Sequence, residues 1–144
     1  MARVTAVNIS QEKGVIKEPI PLGYFKENHG LMGDAHAGKW HRQVSLLGQE
    51  SIDKIAALGI EGLSAGKFAE NLTTEGIDLY KYPVGTRLRI GETVMEISQI
   101  GKKCHTKCAI FEQVGVCAMP LEGVFTKVIK GGYIRPGDEI EVLE

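Results

Sequence analysis

Apolar residues in this chain alternate with polar ones more often than they recur at helical spacing, and this is the signature of short, half-buried strands. Arg3–Ser10, "RVTAVNIS", alternates and predicts a strand. "GVIKEPI" follows a short polar turn, and Pro19 and Pro21 confine it to a sheet edge, because proline donates no ladder hydrogen bond. Gln43–Leu47 reads as a short buried strand. "TRLRIGETVMEIS" predicts a hairpin: Leu88 and Ile90 alternate with Arg87 and Arg89, Met95 and Ile97 alternate on the return strand (Val94–Ser98), and Gly91-Glu92 supplies a two-residue turn with glycine first, as type II′ requires. "GVFTKVIK" and "DEIEVL" complete the strands. Gly131-Gly132 breaks the first of these, and Pro136-Gly137 fits the middle of a type II turn before the second.

Helical spacing is clearest in "GQESIDKIAALG", where Ile52, Ile55, Ala56 and Leu58 form one apolar face and Gly59 fits the position just past the end. Glu27–Arg42, "ENHGLMGDAHAGKWHR", has neither period and reads as a long Gly- and His-rich loop. Loops of that length inside compact domains usually carry function. "SAGKFAENLTTEG" reads as a second irregular segment. The expected fold is mainly β, a closed or partly open β-barrel or a sandwich with one or two short helices. A parallel α/β sheet would need a helix between most strands.

At 144 residues, the length predicts one domain spanning 1–144. Seventeen basic and 18 acidic side chains give a net charge of -1, with no basic stripe, so a nucleic-acid partner is not expected. No run of apolar residues suits a signal peptide or a membrane span, which predicts a cytoplasmic protein whose thiols stay reduced. The 3 cysteines, Cys104, Cys108 and Cys117, lie close together and are odd in number, unlike a disulfide scaffold.

The candidate chemistry centres on "QIGKKCHTKC", Gln99–Cys108. Lys102, Lys103 and Lys107 surround Cys104, and cationic neighbours stabilise a thiolate, which is both the nucleophile and the soft metal ligand. The competing reading is a small buried thiol beside solvated lysines. Cys108 and Cys117 sit in apolar surroundings that suit packing, although Cys108 would resolve an oxidised or persulfidated Cys104 if the two came close. Zinc would need Cys104, His105, Cys108 and Cys117. The first pair is C-x₃-C with no second pair, and this spacing disfavours such a site.

In the long loop lie His29, His36 and His41, with Lys39, Trp40 and Arg42. Glycines let backbone N–H groups approach an anion, and Arg42 offers a planar fork for phosphate; the bland alternative is a solvated loop. The spacing is not that of a P-loop. Read in isolation, Glu70 and Asn71 are a turn or cap with Phe68 packing inward.

Taken in order, "GDAHAGKWHRQVSLL", "FAENLTTEGIDL", "VGTRLRIGETVMEISQIGKKC" and "EGVFTKVIKGGYIRPGDEI" resemble the MOSC domain, named for the C-terminal part of molybdenum-cofactor sulfurases, over nearly the whole chain. The resemblance implies a β-barrel. It also implies that Cys104, five residues after Gln99, is the reactive cysteine, which carries sulfur as a persulfide or ligates molybdenum in a bound molybdopterin. On the same basis His36, Glu70 and Asn71 are candidate cofactor-binding residues, to which the charge of the loop and around the cysteine adds Lys39, Arg42 and Lys103. Ala37 interrupts the histidine–glycine pair of relatives, and Lys103 stands where relatives that reduce N-hydroxylated compounds often carry proline. The pyridoxal-phosphate domain of full-length sulfurases has no counterpart here, so no pyridoxal phosphate is expected. The implied partners are a cysteine desulfurase or other persulfide donor, and molybdenum-cofactor biosynthesis proteins or molybdoenzymes. Three readings stay open: a sulfur carrier or transferase, a molybdopterin-dependent redox module, and an interaction domain without enzymatic activity.

Overall fold

The computed structural model describes residues 2–12, 15–57, 59, 63, 65–101 and 122–143. Its strands are β1 (Arg3–Ile9), β2 (Glu18–Ile20), β3 (Gly23–Lys26), β4 (Gly30–Leu31), β5 (Val44–Gly48), β6 (Leu72–Glu75), β7 (Arg87–Ile90), β8 (Thr93–Ile100), β9 (Val124–Lys130), β10 (Gly132–Ile134) and β11 (Ile140–Leu143), with one α-helix, α1 (Gln49–Ala56). The eight-stranded sheet runs β11-β7-β8-β9-β5-β6-β1-β2, and β10-β3-β4 form a second, three-stranded sheet. No helix among the described residues is long and apolar enough to cross a membrane.

The fold is mainly β with one α-helix among the described residues, as the sequence predicts; of the closed or partly open barrel expected, no sheet closes on itself and the main sheet stays open. The order ends at β2, the proline-bearing edge. Among the described residues β1 meets the opposite end of the sheet through the isolated bridge Arg3↔Glu139 and neighbouring bonds such as Val4 N–H to the Asp138 carbonyl, 2.8 Å. The main core gathers alternating inward residues, among them Val4, Val7, Phe25, Leu46, Leu72, Leu88, Ile90, Met95 and Ile97. A smaller cluster of Leu47, Ile52, Phe68, Ala69 and Phe125 lies beneath α1.

Two local readings need correction. "SAGKFAENLTTEG" contains β6, a strand in the sheet interior where Leu72, Thr73 and Thr74 have no exposed surface. It pairs in parallel with β5 (Leu46↔Leu72, Leu47↔Thr73, Gly48↔Thr74), and α1 supplies the crossover that a parallel pair requires. The helix is also shorter than its apolar period. It ends at Ala56, and Gly59 turns back with φ +92° and donates to the Ala56 carbonyl at 3.0 Å.

The β7–β8 hairpin forms as its alternation predicts, with Gly91 at φ +54° in the turn. Pro136-Gly137 turns as expected too, with Gly137 at φ +99° and Asp138 N–H donating to the Arg135 carbonyl at 3.2 Å.

Candidate functional site

The β8–β9 hairpin positions the site. Ile100 faces Val124, and beyond that pair the Gly101 N–H donates to the Gly123 carbonyl at 2.6 Å. Residues 102–121, which carry Cys104, Cys108, Cys117, Lys103 and His105, leave and rejoin the described structure at this stem and themselves lie outside the described residues.

The long loop reaches the stem from the other side. The register of β8 against β9 shifts between Ile97 and Gln99, and such an irregularity re-aims side chains. Gln99 Oε1 accepts from Arg42 Nε at 3.0 Å and from His41 Nε2 at 2.9 Å, while its amide nitrogen donates to the Gly101 carbonyl at 2.7 Å. Ser98 Oγ donates to the carbonyls of His41 and Phe125. The Arg42 guanidinium lies over the Phe125 ring, 5.2 Å from its centre. Lys39 is exposed, two residues before His41. The structure thus brings Arg42 and His41 together at the stem.

His36 is placed by a different set of contacts. Its backbone N–H donates to Asp34 Oδ2 at 3.1 Å, and its carbonyl accepts from Trp40 Nε1 at 2.8 Å. Trp40 in turn touches the His41 ring edge-on, with centres 5.8 Å apart. Below His36 is an ion pair that the sequence did not signal: Lys17 Nζ and Asp34 Oδ1 are 2.8 Å apart, and both side chains are 0% exposed. Burial pushes the Asp34 carboxyl upward. The hydrogen bond and charge of Lys17, with the Ser10 N–H, outweigh that and hold it below its ordinary value.

Glu70 and Asn71 lie inside the fold with no exposed surface. Glu70 accepts from the N–H groups of Gly66 (3.1 Å) and Phe68 (3.2 Å) and from Thr73 Oγ1 (2.7 Å). These bonds frame Ala69, which sits at φ +63°, a region costly for a residue with a Cβ. Complete burial raises the Glu70 carboxyl above its ordinary value, and these same hydrogen bonds offset part of the rise. Asn71 Oδ1 accepts from the Ser45 N–H at 3.0 Å and its amide donates to the Asn8 carbonyl at 3.3 Å, so it ties β5 to β1. Both side chains are engaged with protein groups.

Among the described residues no group of three or more His, Cys, Asp or Glu is placed to hold a metal ion. The loop carries the cationic side chains Lys39 and Arg42, and the thiols that would serve as soft metal ligands, those of the cysteines, lie outside the described residues.

A family model described as the MOSC domain matches residues 33–141, well over half of the chain. The uncharacterized protein YflK of Bacillus subtilis is 25% identical over 92% of this chain, and the chain spans 64% of that relative's length. The crystal structure of the YuaD protein from Bacillus subtilis superposes with a TM-score of 0.80 at 18% identity, covering 99% of this chain and 96% of the other. YiiM from Geobacillus stearothermophilus gives 0.76 at 19% identity, covering 100% and 76%, and YiiM from Escherichia coli gives 0.72 at 20%, covering 99% and 70%. At these identities the solved structures establish a shared fold.

Proposed function

The chain belongs to the MOSC domain family, which is associated with molybdenum-cofactor function, and on that premise we propose that it is a sulfur-handling domain whose working atom is the Cys104 sulfur. The observation that supports this most is the gathering of Arg42 and His41 on Gln99, at the stem where the chain enters the segment bearing Cys104. Lys102, Lys103 and Lys107 add positive charge in sequence around the thiol. Positive charge favours thiolate over thiol and stabilises a persulfide anion in the same way.

In the proposed step the Cys104 thiolate attacks the outer sulfur of a donor persulfide. A new S–S bond forms on Cys104, the donor's S–S bond breaks, and its electron pair departs on the donor thiolate. No net oxidation occurs. The donor is another protein, a cysteine desulfurase by its chemistry, and the acceptor is a molybdenum or metal–sulfur centre. Glu70 and Asn71 act as braces that set β1, β5 and β6 beneath the loop.

A second reading is favoured by the cationic loop. Lys39, Arg42 and Lys103 would hold the phosphate of a molybdopterin, His36 would donate to its polar edge, and Cys104 would be the metal ligand. When bound, that cofactor would supply two-electron redox chemistry at molybdenum, and a soft thiolate suits a metal already held by sulfur.

Transfer of labelled sulfur from a cysteine desulfurase tests the first reading. Label is expected on wild-type protein and absent from a folded Cys104→Ser variant, and equal labelling of the variant overturns it. Molybdenum and pterin retained after anaerobic purification, and lost in Cys104→Ser, would favour the second.

A further inference from the structure

The Lys17 ammonium is sealed from solvent and, among the described residues, lies against Ser10 Oγ at 2.9 Å, Asp34 Oδ1 at 2.8 Å and His36 Nδ1 at 3.1 Å. From this cluster we infer that Lys17 is a positioning residue that holds His36 in the neutral tautomer with its proton on Nε2. An ammonium has three N–H groups and no lone pair, so each of its contacts is a donation. His36 Nδ1 therefore offers its own lone pair to Lys17 and carries no proton. The neutral ring then bears its hydrogen on Nε2.

The described groups on Asp34 agree with this assignment. Asp34 Oδ1 takes Lys17 and the Ser10 N–H at 3.0 Å, and Oδ2 takes the His36 backbone N–H. Asp34 Oδ2 stands 3.9 Å from His36 Nδ1, beyond hydrogen-bond range, so the carboxylate does not compete for a proton at that nitrogen. Asp34 supplies the negative charge that keeps an ammonium inside the fold.

The consequence is chemical. The His36 side chain is 24% exposed, so it reaches the surface of the loop while its inner nitrogen is committed to Lys17. With its proton on Nε2 the ring is an N–H donor at that nitrogen and has no basic lone pair there. Such a group binds an anionic sulfur or a phosphate oxygen and does not serve as a general base. The assignment of that ligand rests on the proposed function of the site, whereas the tautomer does not.

The test is long-range ¹H–¹⁵N correlation spectroscopy of protein labelled with ¹⁵N-histidine, at neutral pH, with His36 assigned by the signal missing from His36→Gln. The expected pattern is a protonated Nε2 and an unprotonated, acceptor-type Nδ1. A proton on Nδ1, alone or together with Nε2, overturns the inference. Lys17→Met combined with Asp34→Asn, checked for folding by circular dichroism, should convert His36 to a mixture of tautomers. An unchanged Nε2–H pattern in that folded variant would remove Lys17 from the role. The wild-type spectrum decides the tautomer whether or not the variant folds, and it is read independently of whether Cys104 takes up labelled sulfur, so failure of the tautomer and failure of the sulfur-handling reading are told apart.

Discussion

Gly101 donates its backbone N–H to the Gly123 carbonyl at 2.6 Å, so the chain departs for its three cysteines and returns from them at one point on the β8–β9 hairpin. The far side of that stem is tied to α1: Glu122 accepts from Ser51 Oγ at 2.5 Å and pairs with Lys54 at 3.0 Å. The near side is tied to the long loop through Gln99. The stem, rather than any single side chain, relates the loop to the cysteine segment.

Gly101 holds this geometry at φ +68°, where a Cβ is crowded by the following carbonyl. Gly101→Val is expected to lower stability by roughly 1–2 kcal/mol. Urea denaturation of the two proteins checks this, and no change in the midpoint would show that the turn relaxes at no cost.

Removing one partner of the buried ion pair strands the other. Lys17→Met is expected to cost about 3–5 kcal/mol, and adding Asp34→Asn to recover a large part of that loss. A double-mutant cycle by denaturation measures the coupling, and additive losses would contradict a paired site.

The two buried carboxyl groups act in opposite directions with pH. Asp34 is held below its ordinary value, so its contribution to stability is present above the unfolded carboxylate range, near about 3.9, and is lost as pH falls through its folded value. Glu70 is raised by burial, so its contribution is full below the unfolded value of about 4.3 and declines as pH rises through the folded one. Stability measured against pH for Asp34→Asn should therefore lose part of the wild-type acid limb. The stability of wild type relative to Glu70→Gln should shrink as pH rises from about 4 toward neutrality. A constant difference across that range would show that Glu70 titrates normally.

Much of the fold was legible. The β7–β8 hairpin could be read because Leu88, Ile90, Met95 and Ile97 alternate cleanly and Gly91 marks the turn. β6 could not, because Leu-Thr-Thr-Glu has one apolar residue. Thr73 is buried through hydrogen bonds that its hydroxyl makes to Glu70 and Asn8, and periodicity of apolar residues does not register this. The sequence left a closed and a partly open barrel undecided, because whether the two ends of a sheet join depends on accumulated twist and register, not on any local pattern. In the site, the basic loop was marked by its sequence, and the geometry places its Arg42 and His41 on Gln99. Lys17 was not, since a lysine before Glu18 and Pro19 reads as a solvated side chain until Ser10 and Asp34 close over it. The sequence marked Glu70 and Asn71 as noteworthy, but only the geometry reveals that they face inward.

Arg42 links the loop to the stem without forming core. Arg42→Ala is expected to slow sulfur loading of Cys104 several-fold while changing stability by only about 1 kcal/mol, the scale of an exposed cation–π contact. Loading kinetics and thermal melts of the same preparation check both halves. A loss of stability without a change in loading would assign Arg42 to structure alone.

The account depends on Cys104 being ionised and reachable at neutral pH, and the rate of alkylation by iodoacetamide, resolved by peptide mass for each cysteine across pH, measures this most directly. Cys104 should react faster than Cys108 and Cys117, with a midpoint below the free-thiol value of about 8.5. A Cys104 that reacts no faster than the other two, or titrates at or above that value, would contradict it.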